Sequence, residues 1–359
     1  MDAKLVSVVI PTYNYAHYLT GAVESALAQT YPDREVIVVD DGSTDDTRDR
    51  LAPFRGRIRY VHQENRGLSA ARNAGIRVAR GALIAFLDSD DLWHPEKLAV
   101  QARYLDEHPE VALVASEHLD MHTSEIGRVD WPRVDGSRAI GAHAVSFDEL
   151  VIGSRFGACG VVARRRCFDE VGPFDETLRS AEDVDMWIRI ASRFPVAKLE
   201  FPLWAYRHHG ASMHKATERM ELNTLKMIGK VFDGPDPLSR SPWLRRKAHA
   251  QIIIQLAYGY RDAHAYGAAL SRVVRSLLLW PFPYFDEDLW YCHPIARLRF
   301  LTLAVMQAAR WHLGLNRSRR ARAGVAGPEP SGEGADGTRA VTAGPHPRPS
   351  MTTGESADV

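Results

Sequence analysis

Three apolar runs near the start of the chain, LVSVVI (Leu5 to Ile10), EVIVVD (Glu35 to Asp40) and ALIAFL (Ala82 to Leu87), lack the in-and-out alternation of a strand with one wet face. Strands of this kind are buried on both sides, which requires a mainly parallel sheet sandwiched between helices. The shorter IRYVH (Ile58 to His62) and VALVA (Val111 to Ala115) extend the series to five strands. The intervening segments read as helices. Tyr18, Leu19, Ala22, Val23, Ala26 and Leu27 fall at helical spacing, and Ser43 is the expected N-cap of a short helix. A third helix spans about Ser69 to Ala79 and is stopped by Gly81, and Pro95 suits the first turn of the next.

In such sheets ligands gather outside the carboxyl ends of the strands. The loops on that edge are PTYNY, DDGSTD, ENRG and DSDD. None is followed by the GxGxxG turn that lets backbone amides approach a dinucleotide, and no GxxxxGK[ST] phosphate loop occurs. The DSDD loop instead crowds Asp88, Asp90 and Asp91 behind a buried strand. One aspartate suffices to cap the helix near Pro95. The surplus carboxylates are hard oxygen donors suited to Mg²⁺ or Mn²⁺, a cation that also meets substrate phosphates.

Lys plus Arg and Asp plus Glu both number 45, so no whole-molecule field marks a nucleic-acid partner. Cys159, Cys167 and Cys292 have neither metal-ligand spacing nor an even count, and the N-terminus lacks a leader pattern, which together read as a cytoplasmic protein with reduced thiols. Ile295 to Leu315 is broken by Arg297, Arg299, Gln307 and Arg310, too polar to span a bilayer, and suits an amphipathic helix packed on the domain. Asp120 to Ala144 has little periodicity and reads as a variable loop. A short helix follows from Phe147, then strand-like GVVA. Val184, Trp187, Ile188 and Ala191 mark an amphipathic helix over Glu182 to Phe194. Three regions result: 1–215 as an α/β domain, 216–315 as a helical region, and a tail, 316–359, poor in large apolar side chains and expected to be disordered.

The blocks VSVVIPTYNYAHYLTGAVESALAQTYPDREVIVVDDGSTDDT, ENRGLSAARNAGIRVARGALIAFLDSDD and VGPFDETLRSAEDVDMWIRI closely resemble, in order and spacing, family 2 glycosyltransferases, inverting enzymes with the GT-A fold. The likeness covers about residues 4 to 212. It implies that Pro11, Tyr13 and Asp41 contact the nucleotide base, Asp41 accepting from the pyrimidine ring and Tyr13 stacking on it, and that Arg72 approaches the diphosphate. The plainer alternative for Arg72 is a helix-surface charge paired with Glu64 or solvent. Asp88 and Asp90 match the DxD motif, Asp90 being the first choice as metal ligand, while Asp91 binds metal or ribose. Glu182 and Asp183 match the acidic pair whose second member is the catalytic base. In AYRHHGAS the resemblance is looser; it offers His208 as a further metal ligand and Arg207 as an anion partner. Trp187 stands one turn after Asp183, where core packing is the simpler role than an acceptor platform.

The resemblance therefore implies metal-dependent, inverting transfer of a sugar, from a UDP-linked donor, to an acceptor hydroxyl in surface glycan or polysaccharide assembly. Spanning helices and the QxxRW motif of processive synthases are missing, which implies addition of one or a few residues. The acceptor class common among relatives is lipid-linked, and Leu277 to Trp280 with the Ile295 to Leu315 stripe would then suit peripheral contact at the inner face of a membrane. A nicotinamide oxidoreductase and a non-catalytic sugar-nucleotide-binding protein are the alternatives.

Overall fold

The computed structural model describes residues 4–122, 129–135, 140–153, 156–209, 217–234, 237–282 and 294–312. Cys292 and the tail expected to be disordered lie outside these residues. Residues 1–309 form one compact unit; of a second, 310–359, only the end of the last helix is described.

The alternating half folds as its pattern requires. Strand β1 (Val6–Thr12) is buried along its whole length and pairs in parallel with β2 (Arg34–Asp40) and β4 (Leu83–Phe86), while β3 (Arg59–His62) extends the sheet beyond β2. Beyond β4 the sheet turns mixed. Strand β8 (Val162–Arg164) runs antiparallel to both β4 and β6 (Leu113–His122), and β6 pairs in parallel with the long β9 (Val196–His208). Two short strands, β5 (Leu92–Trp93) and β7 (Ala142–Val145), join β9 antiparallel, so the order is β3-β2-β1-β4-β8-β6-β9-β5 with β7 also on β9.

Helices cover both faces. On one, α1 (Ala16–Leu27) and α4 (Lys97–Glu107) bury Leu19, Val23, Leu98 and Leu105 against Val8, Ile10 and Val38. On the other, α3 (Leu68–Val78), α5 (Phe147–Ile152) and α7 (Glu182–Ala191) pack on Val9, Ile37 and Phe86. A Cβ on Gly75 of α3 would fall on the Val9 side chain, so glycine sets how closely this helix approaches the sheet. The first helix of the helical region, α8 (Thr217–Asp233), and α9 (Pro242–Asp262) bury Ile228, Val231 and Ile254 in the same core as α7, so the change at residue 215 is one of composition, not a break in packing. Helices α10 (Tyr266–Leu279) and α11 (Pro294–His312) complete the region.

Three expectations are corrected. Ser43 caps no helix: its hydroxyl accepts from the Asn14 amide, and the short helix α2 (Thr47–Arg50) starts behind Asp46. The stretch Asp120 to Ala144 is not wholly loop, because Asp120 continues β6 and Ala142 opens β7, both drawn into the sheet by pairing with β9 rather than by their own propensity. The aspartates of DSDD do not cap α4, which begins two residues beyond Pro95 with no side-chain cap.

Candidate active site

The loops after β1, β2, β3 and β4 converge, as the topology dictates, on one cleft of about 740 Å³ lined by Pro11, Tyr13, Asp41, Gly67, Asp88 and Asp90, with Arg179, Tyr206 and Arg219 on the far wall. Tyr13 is 45% exposed there, a ring face open to a ligand. Asp41 is buried and already accepts from Gln63 Nε2 (2.7 Å) and the amides of Arg66 (2.9 Å) and Gly67 (2.7 Å). Gly67 makes this possible with φ +95°, a conformation costly to residues with a Cβ.

Helix α3 aims one face at the segment that leads into α7. Ser69, Arg72 and Asn73 stand at i, i+3 and i+4. Ser69 Oγ donates to the Leu178 carbonyl, and Asn73 exchanges two hydrogen bonds with the Phe174 backbone. Between them the fully buried Arg72 donates from Nη2 to Asp88 Oδ1 (2.8 Å) and from Nη1 to Glu182 Oε1 (2.6 Å). Arg72 is thus neither a surface charge nor a residue lining the cleft. It ties the DSDD loop to the acidic pair, which sequence spacing does not suggest.

The chain enters α7 through Ala181 at φ +59°, and Glu182, Asp183 and Asp185 occupy the first turn. Burial pushes Asp183 up to about 7; Glu182 adds to the rise, Arg72 works against it, and the Val184 amide donates to Oδ1. Trp187 is fully buried among Phe86, Phe156 and Phe174, so it is core and not an acceptor platform. Arg189 pairs with Asp185 at 2.9 Å and donates to the Val171 and Pro173 carbonyls, a scaffold role.

The acidic loop is clamped by β9. The Arg207 amide donates to Asp91 Oδ1 (2.9 Å), Arg207 Nε donates to the Asp90 carbonyl (2.7 Å), and His209 Nε2 meets Asp90 Oδ2 at 2.8 Å. His208 does not join them: its ring meets Asp120 Oδ1 at 2.7 Å, away from the acidic loop. The reason is strand alternation, which sends Arg207 and His209 to one side of β9 and His208 to the other. Asp91 accepts from the Cys159 thiol (3.1 Å) as well as from Arg207, while the same sulfur receives the Asp88 amide (3.1 Å). Asp88, Asp91 and Cys159 form a compact group of metal-ligating atoms. Burial holds both the Cys159 thiol and the Asp91 carboxyl well above their ordinary ranges, and the two form the floor beneath the loop. Asp88 and Asp90 are the exposed members, with side chains 32% and 23% accessible. Burial and the Asp88 charge together raise Asp90, while His209 opposes the rise. Asp88, and Asp90 beside the His209 imidazole, are hard oxygen donors of the kind that suit a divalent ion. Arg207 lies over the Tyr18 ring (5.0 Å), and His209 packs against Tyr15 and Tyr18.

Parallel strands that end in a cleft lined by a ring face and the aspartates of an acidic loop, with the Glu182–Asp183 pair tied to that loop through Arg72, define an α/β protein of the GT-A type. The chain belongs to glycosyl transferase family 2, whose model matches residues 7–170. It is 32% identical over 238 residues to a glycosyltransferase of Rickettsia prowazekii, covering 65% of this chain and 71% of that one. It is 30% identical over 192 residues to a UDP-Glc:alpha-D-GlcNAc-diphosphoundecaprenol beta-1,3-glucosyltransferase of Escherichia coli, covering 53% and 71%. Against a Rickettsia felis relative, 34% identical, the match spans only 34% of that longer protein. Two solved structures share the fold. Staphylococcus aureus TarS 1–349 with UDP-GlcNAc has a TM-score of 0.55 at 18% identity, covering 86% of this chain and 92% of that one. The Pyrobaculum calidifontis mannosyltransferase with GDP-Man and Mn²⁺ has 0.54 at 21%, covering 86% and 87%. A nicotinamide enzyme is set aside on this membership.

Proposed function

We propose that the protein transfers a sugar, with inversion, from a UDP-linked donor to an acceptor hydroxyl during assembly of a surface glycan. The observation that carries this reading is the Arg72 bridge, which fastens the acidic loop and the Glu182–Asp183 pair into one cluster behind the convergent loops.

In this reading Tyr13 stacks on the base, and Pro11 and Asp41 frame it, with Asp41 keeping loop 63–67 in place while offering its remaining lone pairs to the ring nitrogen. Asp88, Asp90 and His209, in place of His208, hold a Mn²⁺ or Mg²⁺ ion, which when bound supplies positive charge to the departing nucleotide diphosphate. Asp91 serves as a support beneath them rather than as a ligand to metal or ribose. Asp183 takes the proton of the acceptor hydroxyl as that oxygen attacks the anomeric carbon from the face opposite the leaving group, and a carboxylate raised to about 7 is matched to that task. Glu182 holds Arg72, and Arg72 in turn tempers the repulsion between the two acidic groups. The acceptor proposed is a sugar on a lipid diphosphate, by analogy with the named Escherichia coli relative.

A thermal-shift series of nucleotide sugars with and without Mn²⁺, followed by product analysis for anomeric configuration, tests the reading. A UDP-sugar is expected to raise the melting temperature most, and only with the metal. Binding without turnover on any acceptor would point to a non-catalytic sugar-nucleotide-binding protein. Retention of configuration would remove Asp183 from its role as base.

A further inference from the structure

The helical region carries a second feature unrelated to the cleft. Helices α9 and α10 run antiparallel, and where α9 begins and α10 ends three aromatic rings cluster. Trp243 and Trp280 lie 6.1 Å apart, and Trp280 and Phe282 5.3 Å. Trp243 is 61% exposed, Phe282 53%, and Leu278 beside them 80%. Arg297 of α11 is buried at the same end, donating to the Ser276 and Phe282 carbonyls, and the next residue, Leu298, is exposed. Protein surfaces seldom leave such side chains in water without a partner.

The charge around the patch identifies the partner. Residues 237–312 contain ten Lys or Arg and four carboxylates, Asp262 at the opposite end of α9 and Asp286, Glu287 and Asp288 after Phe282, and two of the cations, Arg245 and Arg272, pair with Asp233 and Glu221. The chain as a whole has equal numbers of the two signs, so this excess is local. Arg246 and Lys247 follow Trp243 by three and four residues and share its helix face, Arg275 precedes Leu278 by three, and Arg299 adjoins Leu298. Among the described residues, Arg246 and Arg299 form no ion pair. No helix among the described residues is long and apolar enough to cross a membrane. The exposed Trp243, backed by the half-buried Trp280 and set among cations, is what an interfacial site needs, with a ring at the headgroup level and basic side chains reaching anionic lipid.

We infer that the end of the helical region formed by Trp243, Leu278, Trp280 and Phe282, with Arg246, Lys247, Arg275 and Arg299, docks on an anionic lipid bilayer and seats the protein on the membrane without crossing it. The inference stands independently of the chemistry assigned to the cleft. It is tested by flotation of the full chain with phosphatidylglycerol-containing and pure phosphatidylcholine vesicles at low and high salt. The wild-type chain is compared with Trp243→Ser/Phe282→Ser and Arg246→Glu/Arg275→Glu, and sedimentation velocity is run on all three. The wild type is expected to float with the anionic vesicles alone and to be released by salt. Each double variant is expected to bind at least about tenfold more weakly, with unchanged melting temperature. Failure of the wild type to float on anionic vesicles, or flotation that neither variant weakens, overturns the proposal. So does wild-type self-association that both variants abolish without vesicle binding, which would assign the face to a second copy of the chain.

Discussion

Arg72 Nη1 lies 2.6 Å from Glu182 Oε1, a pair 110 residues apart in sequence and almost wholly shielded from water. Removing one partner of a buried ion pair leaves the other charge stranded, at a cost of about 3–5 kcal/mol. Arg72→Ala is therefore expected to lower the unfolding free energy by about that amount in urea titration, with Glu182→Gln in the same chain recovering part of the loss. A loss below about 1 kcal/mol would contradict the bridge. Arg72→Lys cannot span both carboxylates as a guanidinium does, and should restore little.

The raised carboxyl of Asp183 fixes a pH dependence. Activity limited by this base is expected to climb through pH about 7 and level off above it, as the carboxylate becomes the populated form. Asp183→Asn should cut turnover by about 10²–10⁴ and keep donor affinity. Stability moves the opposite way. Asp183 holds its proton to higher pH when folded than when unfolded, so the native state loses stability as pH rises from about 4 to about 7, and the deficit persists above. At pH 8 the Asn variant should melt higher than the wild type, and a lower melting temperature would argue that the carboxylate is not strained in the fold.

His209 and His208 are neighbours with opposite expectations. His209→Ala should weaken Mn²⁺-dependent donor binding by about 10–100-fold, the range seen when a residue holding a metal site is removed. His208→Ala should leave it within a factor of two or so, the scatter of such measurements. Titration calorimetry with Mn²⁺ and UDP separates them, and equal effects would refute the placement of His209 at Asp90.

Lys97 is buried with its ammonium 4.2 Å from the Trp93 ring centre and a single hydrogen bond to Gln101 Oε1 (2.7 Å). Burial brings its amine down to about 7, so the unfolded chain binds the extra proton between about 7 and 10.5. Stability from this group rises with pH across that window and is lowest below it. Lys97→Met should therefore raise the melting temperature at pH 6, by about 2–4 °C for each kcal/mol relieved. A drop would mean that the ring and Gln101 compensate the buried charge.

Much of this arrangement was written in local pattern. Strands buried on both faces announced the sheet, and its topology then placed Tyr13, Asp41 and Asp88 on one edge without further information. What sequence spacing could not supply was direction. Whether His208 or His209 meets Asp90 depends on the phase of β9, which emerges only when the strand is followed past Tyr206. The burial of Arg72 depends on a helix meeting a segment a hundred residues on. The role of Cys159 beneath the acidic loop left no spacing signal, since its partners come from β4 and its own place from a short turn before β8.

The left-handed corner at Ala181 carries a last consequence. A side chain there adopts a backbone conformation that costs roughly 1–2 kcal/mol for any residue with a Cβ. In a saturation library, glycine and asparagine should be enriched at position 181, and valine, isoleucine and threonine depleted, although the site is only half-buried and polar neighbours surround it.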